Sequence, residues 1–252
     1  MAAIGFLGTG EIAACMVRAL TGQGHRLRVS DRNAEVAAEL ATLPDVTVHP
    51  NDEVIVHSEV VILCLVAKVA RQVLADLPWH ADQAVISVMV DVPLADLHRL
   101  CAPAKDIALT IPMPFIEQGG CPLPVHPDSA ALREIFGPRN LILPVDSEAA
   151  LNAHFAASAL SAPLLELLAL GAAWLAEETG DPAGSEAYVA ALFKGYMSPD
   201  GSGEHFLGLL ESLSTEGGLN ASLRARMAQA GAPETLIDAM DGLRPRLGLA
   251  TR

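Results

Sequence analysis

Basic residues and aromatics are scarce in this 252-residue chain: 16 Lys and Arg stand against 30 Asp and Glu, and Phe, Trp and Tyr make up 4%. The formal charge of −14 excludes a general nucleic-acid binder, which needs clustered cations to displace counterions from phosphates. Any anion held here must therefore be held by local donors. The cysteines at 15, 64, 101 and 121 form no CxxC pair, and the eight His form no HxH or HExxH, so no metal site is expected. In apolar surroundings such cysteines act as small hydrophobes, which fits a reducing cytoplasm. Met1–Leu7 lacks the basic start and long apolar stretch of a signal peptide. What is plentiful is apolar material, 51% of residues at a mean hydropathy of +0.36, which excludes a disordered chain. At this length it builds one large domain or two modest ones.

One apolar run is long enough to test against a membrane. Phe155–Ala176 reads FAASALSAPLLELLALGAAWLA, about the length of a bilayer span. Glu166 sits near its middle, Pro163 is close by, and Glu177 and Glu178 follow it where a span would carry Lys or Arg. A helix that is apolar all round must be covered by protein. The expected cover is a second copy of the chain, with Glu166 serving that contact and not the chemistry.

Strand and helix patterns alternate through the first part. Ile4–Leu7, Leu27–Ser30, Val46–Val48, Val60–Val66, Ala84–Val88, Ile107–Ile111 and Leu141–Val145 read as strands. The continuous run VVILCLV is that of a strand buried on both faces. Helical spacing falls between them: Gly10–Leu20, a helix capped by Asn33 and reaching about Leu43, Ala70–Leu77, and one beginning at Pro93 and ending near Leu100. The Pro/Gly-rich stretch Pro112–Pro127 reads as a connection. Such alternation predicts an α/β fold with a doubly wound sheet of the Rossmann kind. Beyond Asp146 only helices are expected: Leu151–Glu178, Ser185–Tyr196, Glu204–Leu213, Asn220–Gln229 and Pro233–Leu243. The chain thus divides into a dinucleotide-binding domain, 1–146, and an all-α dimerisation and substrate domain, 147–252.

Gly8-Thr9-Gly10-Glu11-Ile12-Ala13 is GxGxxA, set after the first strand and opening the first helix. The first Gly permits the tight turn, the second lets a pyrophosphate approach the backbone, and the small third residue lets helix and strand pack closely. Unsatisfied N–H groups and the helix dipole then face the anion. The second strand ends in Ser30-Asp31-Arg32-Asn33. Asp31, 21 residues beyond Gly10, is placed to bond a ribose 2′-hydroxyl and repel a 2′-phosphate. Ser30 and Arg32 are the groups that would hold that phosphate. The signals conflict, and the balance tilts to NADP, with NAD as the alternative.

These motifs resemble the pyrroline-5-carboxylate reductase family. IGFLGTGEIA, from Ile4 through Leu7 to Ala13, is similar to the family's opening, and Asn51 matches an Asn that touches the cofactor ahead of the fourth strand. VISVMVDVPLADL resembles the fifth strand and its helix. Ser214-Thr215-Glu216-Gly217-Gly218-Leu219-Asn220 falls where the family carries its TSPGGTT substrate loop. The resemblance implies a Rossmann domain followed by a helical domain interlocked in a homodimer, reducing a cyclic imine carboxylate with a nicotinamide cofactor, usually NADPH, on the way to proline. It also places Cys64, Leu65 and Val66 along the cofactor.

The departures lie mainly in the substrate half. The family's Ala-Val-Lys-Pro is Cys64-Leu65-Val66-Ala67, without the Lys. Met-Pro-Asn-Thr-Pro has become Ile111-Pro112-Met113-Pro114, one residue shorter and without its polar pair. The loop's two Thr are Leu219 and Asn220, Ser-Gly-Pro is Ser161-Ala162-Pro163, and Gln-Thr before a Gly is Phe193-Lys194 before Gly195.

Reduction of an imine needs a hydride donor at near-attack distance and a proton or hydrogen bond for the nitrogen. Asn220 can donate such a bond, although Asn is also a favoured helix cap. Thr215 matches the loop Ser and can bond substrate, or serve as a polar residue at a helix end. Lys194 can anchor a carboxylate or give a proton, or snorkel at the surface. Gly217-Gly218 offers a turn for an anion, and Ser87 with Met89-Val90-Asp91 stands at the carboxyl end of the sheet. Three readings follow: a C=N reductase, an oxidoreductase of a carbonyl or hydroxy acid, and a non-catalytic NADP-binding protein.

Overall fold

The computed structural model describes residues 1–89, 91–197 and 204–250, so Val90 lies outside the described residues. The chain forms two compact units, Met1–Phe155 with Arg246–Leu249, and Ala156–Pro245 with Ala250 and the chain end.

In the first unit the strands are β1 (Ala3–Leu7), β2 (Arg26–Ser30), β3 (Val46–His49), β4 (Val60–Leu63), β5 (Ala84–Ser87), β6 (Asp106–Thr110), β7 (Pro122–His126) and β8 (Leu141–Pro144). They form one sheet in the order 3-2-1-4-5-6-7-8. β1 to β6 run parallel, β7 is antiparallel to β6, and β8 is parallel to β7. Order 3-2-1-4-5-6 is the doubly wound arrangement, whose strand order reverses between β1 and β4.

The helices are α1 (Glu11–Leu20), α2 (Ala34–Leu40), α3 (Asn51–Val56), α4 (Ala67–Leu74), α5 (Leu94–Leu100), α6 (Ala130–Phe136) and α7 (Glu148–Ser158). Successive strand residues face opposite sides, so Phe6 and Ile62 join a core with Met16, Leu20 and Phe136, while Leu7 and Leu63 join another with Leu74 and Leu97. Helices cover both faces, and the four residues of β4 are all buried. Glu148 of α7 accepts the Leu94 N–H at 3.3 Å, supplying the cap that α5 lacks at Pro93.

Two expectations are corrected. The 112–127 connection holds a 3₁₀ turn (Pro114–Glu117) and β7. Pro122 and Pro124 mask the strand in the sequence because Pro cannot donate to a ladder. The Cys121 and Val125 carbonyls accept from Leu141 and from Val145, just past β8, which turns the prolines toward β6, where pairing is limited to Leu109–His126 and Thr110–Val125. The single helix expected at Leu151–Glu178 is two, α7 and α8 (Ser161–Thr179). Pro163 has no N–H to offer the Ala159 carbonyl and is tolerated only in a first turn, so the helix restarts at Ser161.

The second unit contains α8, α9 (Pro182–Tyr196), α10 (His205–Ser212), α11 (Leu219–Gln229) and α12 (Ala232–Asp241). Gly180, at φ +71°, ends α8, and the Asp181 carboxylate accepts the Gly184 N–H at 3.0 Å to cap α9. α8 and α9 pack as a hairpin. Glu148–Thr179 has the length and hydropathy of a membrane span, and none of its most apolar window is buried within the chain.

Candidate functional site

The carboxyl ends of β1, β2 and β4 meet at the Gly8–Gly10 turn. Gly8 adopts φ +91°, and a Cβ there would lie 2.6 Å from the Cys64 carbonyl oxygen, so only glycine fits. Its N–H donates to Ser30 Oγ at 2.9 Å. Asn33 Nδ2 donates to the Thr9 carbonyl at 3.4 Å, while its Oδ1 accepts from Val36. The turn is thus braced from β2 through two side chains.

Several features leave this turn short of partners. α1 starts at Gly10 with no side-chain cap, so the amides of its first turn remain free donors. A Cβ on Gly10 would meet nothing within 4 Å. Thr9 is 3% exposed, and its hydroxyl has no hydrogen-bond partner. A buried polar group without a partner costs about 1–3 kcal/mol. Open space, free amides and an unsatisfied hydroxyl at one helix N-terminus are what a bound anionic phosphate group uses.

The other residues singled out in the first half fall around this turn. Leu7 is fully buried at the end of β1, Glu11 is exposed and Ile12 half-buried. Asp31 and Arg32 are exposed on the loop after β2. Asn51 opens α3 two residues past His49, which pairs with Ser30. Cys64 follows β4 directly, its N–H bonded to the Leu7 carbonyl at 2.8 Å, and burial pushes its thiol up to about 12. Leu65 is buried, and Val66 is exposed ahead of α4. Ser30, 1% exposed, accepts the Gly8 N–H and so braces the turn from β2. Thr9 falls in the turn where the GxGxxA spacing puts it, and Asn33, the cap of α2, takes a second role in bracing the Thr9 carbonyl that no spacing marks. At β5, Ser87 Oγ accepts the Met89 N–H at 3.2 Å. Asp91, at φ +69°, pairs with Arg246 at 3.3 Å.

Lys194, Thr215 and Asn220 lie in the second unit. Lys194 is exposed near the end of α9, and Thr215 is exposed in a turn where its carbonyl accepts the Gly218 N–H at 2.9 Å. The cap of α11 is Gly218, so Asn220 is the second residue of that helix and not its cap. Asn220 lines a cleft of about 600 Å³ between α9, α10 and the start of α11. Lys194 is not among the residues lining it.

Residues 3–91 match the family described as NADP oxidoreductase, coenzyme F420-dependent. No curated protein matches the chain by sequence. Among solved structures, the 1-pyrroline-5-carboxylate reductase of Streptococcus pyogenes is 18% identical, with 98% of each chain covered and a TM-score of 0.77. The pyrroline carboxylate reductase of Plasmodium falciparum, solved with NADP bound, is 13% identical over 98% of this chain and 97% of that one, at 0.80. A reductive aminase from Aspergillus terreus, in complex with NADPH and ethyl-5-oxohexanoate, is 17% identical over 99% and 88%, at 0.64. At these identities the likeness establishes the fold. It is a Rossmann-like sheet followed by a helical region, as in the pyrroline-5-carboxylate reductases.

Proposed function

We propose that this chain is a member of the pyrroline-5-carboxylate reductase family, an NADPH-dependent oxidoreductase that reduces the C=N bond of a small imine. The observation that carries the reading is the Gly8–Gly10 turn, with its uncapped helix and unpartnered Thr9 hydroxyl. Gly8, Thr9, Gly10 and the first-turn amides of Glu11 and Ile12 would hold the pyrophosphate. Asp31 and Arg32 would meet the adenosine ribose, with Asn51, Cys64, Leu65 and Val66 along the rest of the dinucleotide. NADPH, when bound, supplies the hydride that turns C=N into CH–NH as it becomes NADP⁺. Asn220 would hold the imine nitrogen by a hydrogen bond while a proton from solvent completes the amine, and Thr215 would orient the substrate. Lys194 would stand at the rim as a charge, since its side chain is exposed.

The working assignment is residues 1–146 for the dinucleotide and 147–252 for substrate and assembly. A homodimer through the helical region would cover the leucines and Trp174 of α8, which the chain leaves exposed. Four free thiols suit a reducing cytoplasm. The test is loss of NADPH absorbance with 1-pyrroline-5-carboxylate and a panel of imines, with NADH in parallel. Turnover of an imine upholds the reading, and the cofactor ratio reports what Asp31 and Arg32 do. A second reading, a non-catalytic NADP-binding protein, is favoured by the absence of the family's Lys and paired Thr at Val66, Leu219 and Asn220. It predicts NADPH binding with no turnover on imines or ketones.

A further inference from the structure

We infer that Arg246 is a positioning residue: paired with Asp91, it holds the connection between β5 and α5 beside the nicotinamide half of the dinucleotide, and so acts on hydride transfer while leaving the adenosine half untouched. This rests on the reductase reading above and adds to it a residue far along the chain from the glycine turn. In a doubly wound sheet each half takes one mononucleotide, across the point where the strand order reverses. With Asp31 and Arg32 at the adenosine ribose, β4 and β5 fall to the nicotinamide half. Leu7, Leu63 and Ser87 stand in one row across β1, β4 and β5. Two strand spacings put the end of β5 about 10 Å from the end of β1, where the glycine turn begins.

The sheet fixes the start of this connection. The Val88 N–H donates to the Leu63 carbonyl at 3.0 Å, and the Met89 N–H to Ser87 Oγ at 3.2 Å. Beyond them Asp91 adopts φ +69°, a left-handed conformation that a residue other than glycine keeps when its surroundings hold it. The holding contacts come from later in the chain. Leu151 of α7 shares a core with Met89 and Val92, and Glu148 accepts the Leu94 N–H at 3.3 Å. The chain then re-enters the first unit at Arg246. There Asn152 Nδ2 donates to the Leu247 carbonyl at 3.0 Å, and Arg246 donates to Asp91 at 3.3 Å. Of these contacts, the one that reaches the left-handed residue is the Arg246 pair. With Arg246 69% and Asp91 38% exposed, it is a screened surface pair. Such a pair suits the placing of one loop and is too weak to be what the fold depends on.

The experiment compares the wild type with Arg246→Gln, Arg246→Lys, Asp91→Asn and the double variant of Arg246→Gln with Asp91→Asn. Asn tolerates the left-handed backbone, so Asp91→Asn removes the charge and leaves the conformation. At saturating NADPH and imine, Arg246→Gln and Asp91→Asn should each lower kcat about three- to fivefold. Arg246→Lys should stay within about twofold of the wild type, and the double variant should be no slower than the slower single one. Calorimetric affinity for 2′-phospho-ADP-ribose, which lacks the nicotinamide, should be the same throughout. Unchanged kcat in both single variants overturns the inference. So do losses that multiply in the double variant, or an equal loss of 2′-phospho-ADP-ribose affinity, which would make the pair a general support. Wild-type protein that turns over no imine would overturn the reductase reading separately. Hydrogen exchange then decides the inference: NADPH should slow exchange across residues 87–94 in the wild type, and slow it less in Arg246→Gln. No slowing in the wild type, or equal slowing in both, overturns it.

Discussion

The two units of this chain bury their residues very differently. The first has two cores, one on each side of the sheet, with Phe6, Leu7, Ile62 and Leu63 inaccessible. In the second, Ala156 and Ser185 are the buried residues among those described, while Leu165, Trp174, Phe206 and Leu219 are more than half exposed. A helix gains most of its stability from packing an apolar face. The first unit therefore carries its own stability, whereas the second leaves apolar side chains exposed that the proposed homodimer would cover. The contrast teaches where each kind of substitution should act: on folding in the first unit, on association in the second.

The largest effects test that contrast directly. Phe6→Ala should cost about 3–5 kcal/mol, as truncation of a buried aromatic does, and the loss in a urea titration should not depend on protein concentration. Trp174→Asp should leave the first unit folded but reduce the mass in light scattering from twice 26.4 kDa to that of one chain. An unchanged mass would remove α8 from the interface. Next in size, Asn220→Ala should lower kcat by about 10- to 100-fold, the scale of one lost hydrogen-bond partner, with NADPH affinity unaltered. Equal kcat would make Asn220 a helix residue and no more.

Ser30→Ala should act within the first unit, on the cofactor turn. It removes the acceptor of the Gly8 N–H, costing about 1 kcal/mol, and calorimetry should show NADPH binding several-fold weaker. The smallest effect concerns buried thiols. Burial pushes Cys101 and Cys64 from the ordinary 9.0 up to about 12. The unfolded chain loses these protons first, so stability is intact below about pH 9 and falls as pH rises toward 12. Cys101→Ala should flatten part of that fall in the alkaline melting temperature while shifting the neutral value by its packing cost alone.

Much of the first unit was legible because parallel strands buried on both faces write continuous apolar runs, as VVIL in β4 does. The Gly8 turn was legible because its backbone, at φ +91° and against Cys64, demands glycine. β7 was hidden by Pro122 and Pro124, whose cost is avoided by a local gap in pairing that periodicity does not report. The break between α7 and α8 was written in Pro163, but the apolar run on either side masked it. The Ser30 brace was illegible for another reason: nothing in the residue type or spacing marks a Ser at a strand end as the acceptor of a backbone N–H in the neighbouring turn. The substrate half was the least legible, since an apolar cleft and an apolar interface use the same residue types.

The most direct test of the central claim is calorimetric titration of NADPH into the wild-type protein and Gly10→Asp. A Cβ at Gly10 meets nothing, so the variant should keep the wild-type melting temperature while its carboxylate occupies the place of the pyrophosphate. The account predicts saturable NADPH binding to the wild type and none to the variant. Equal binding by both proteins would contradict it.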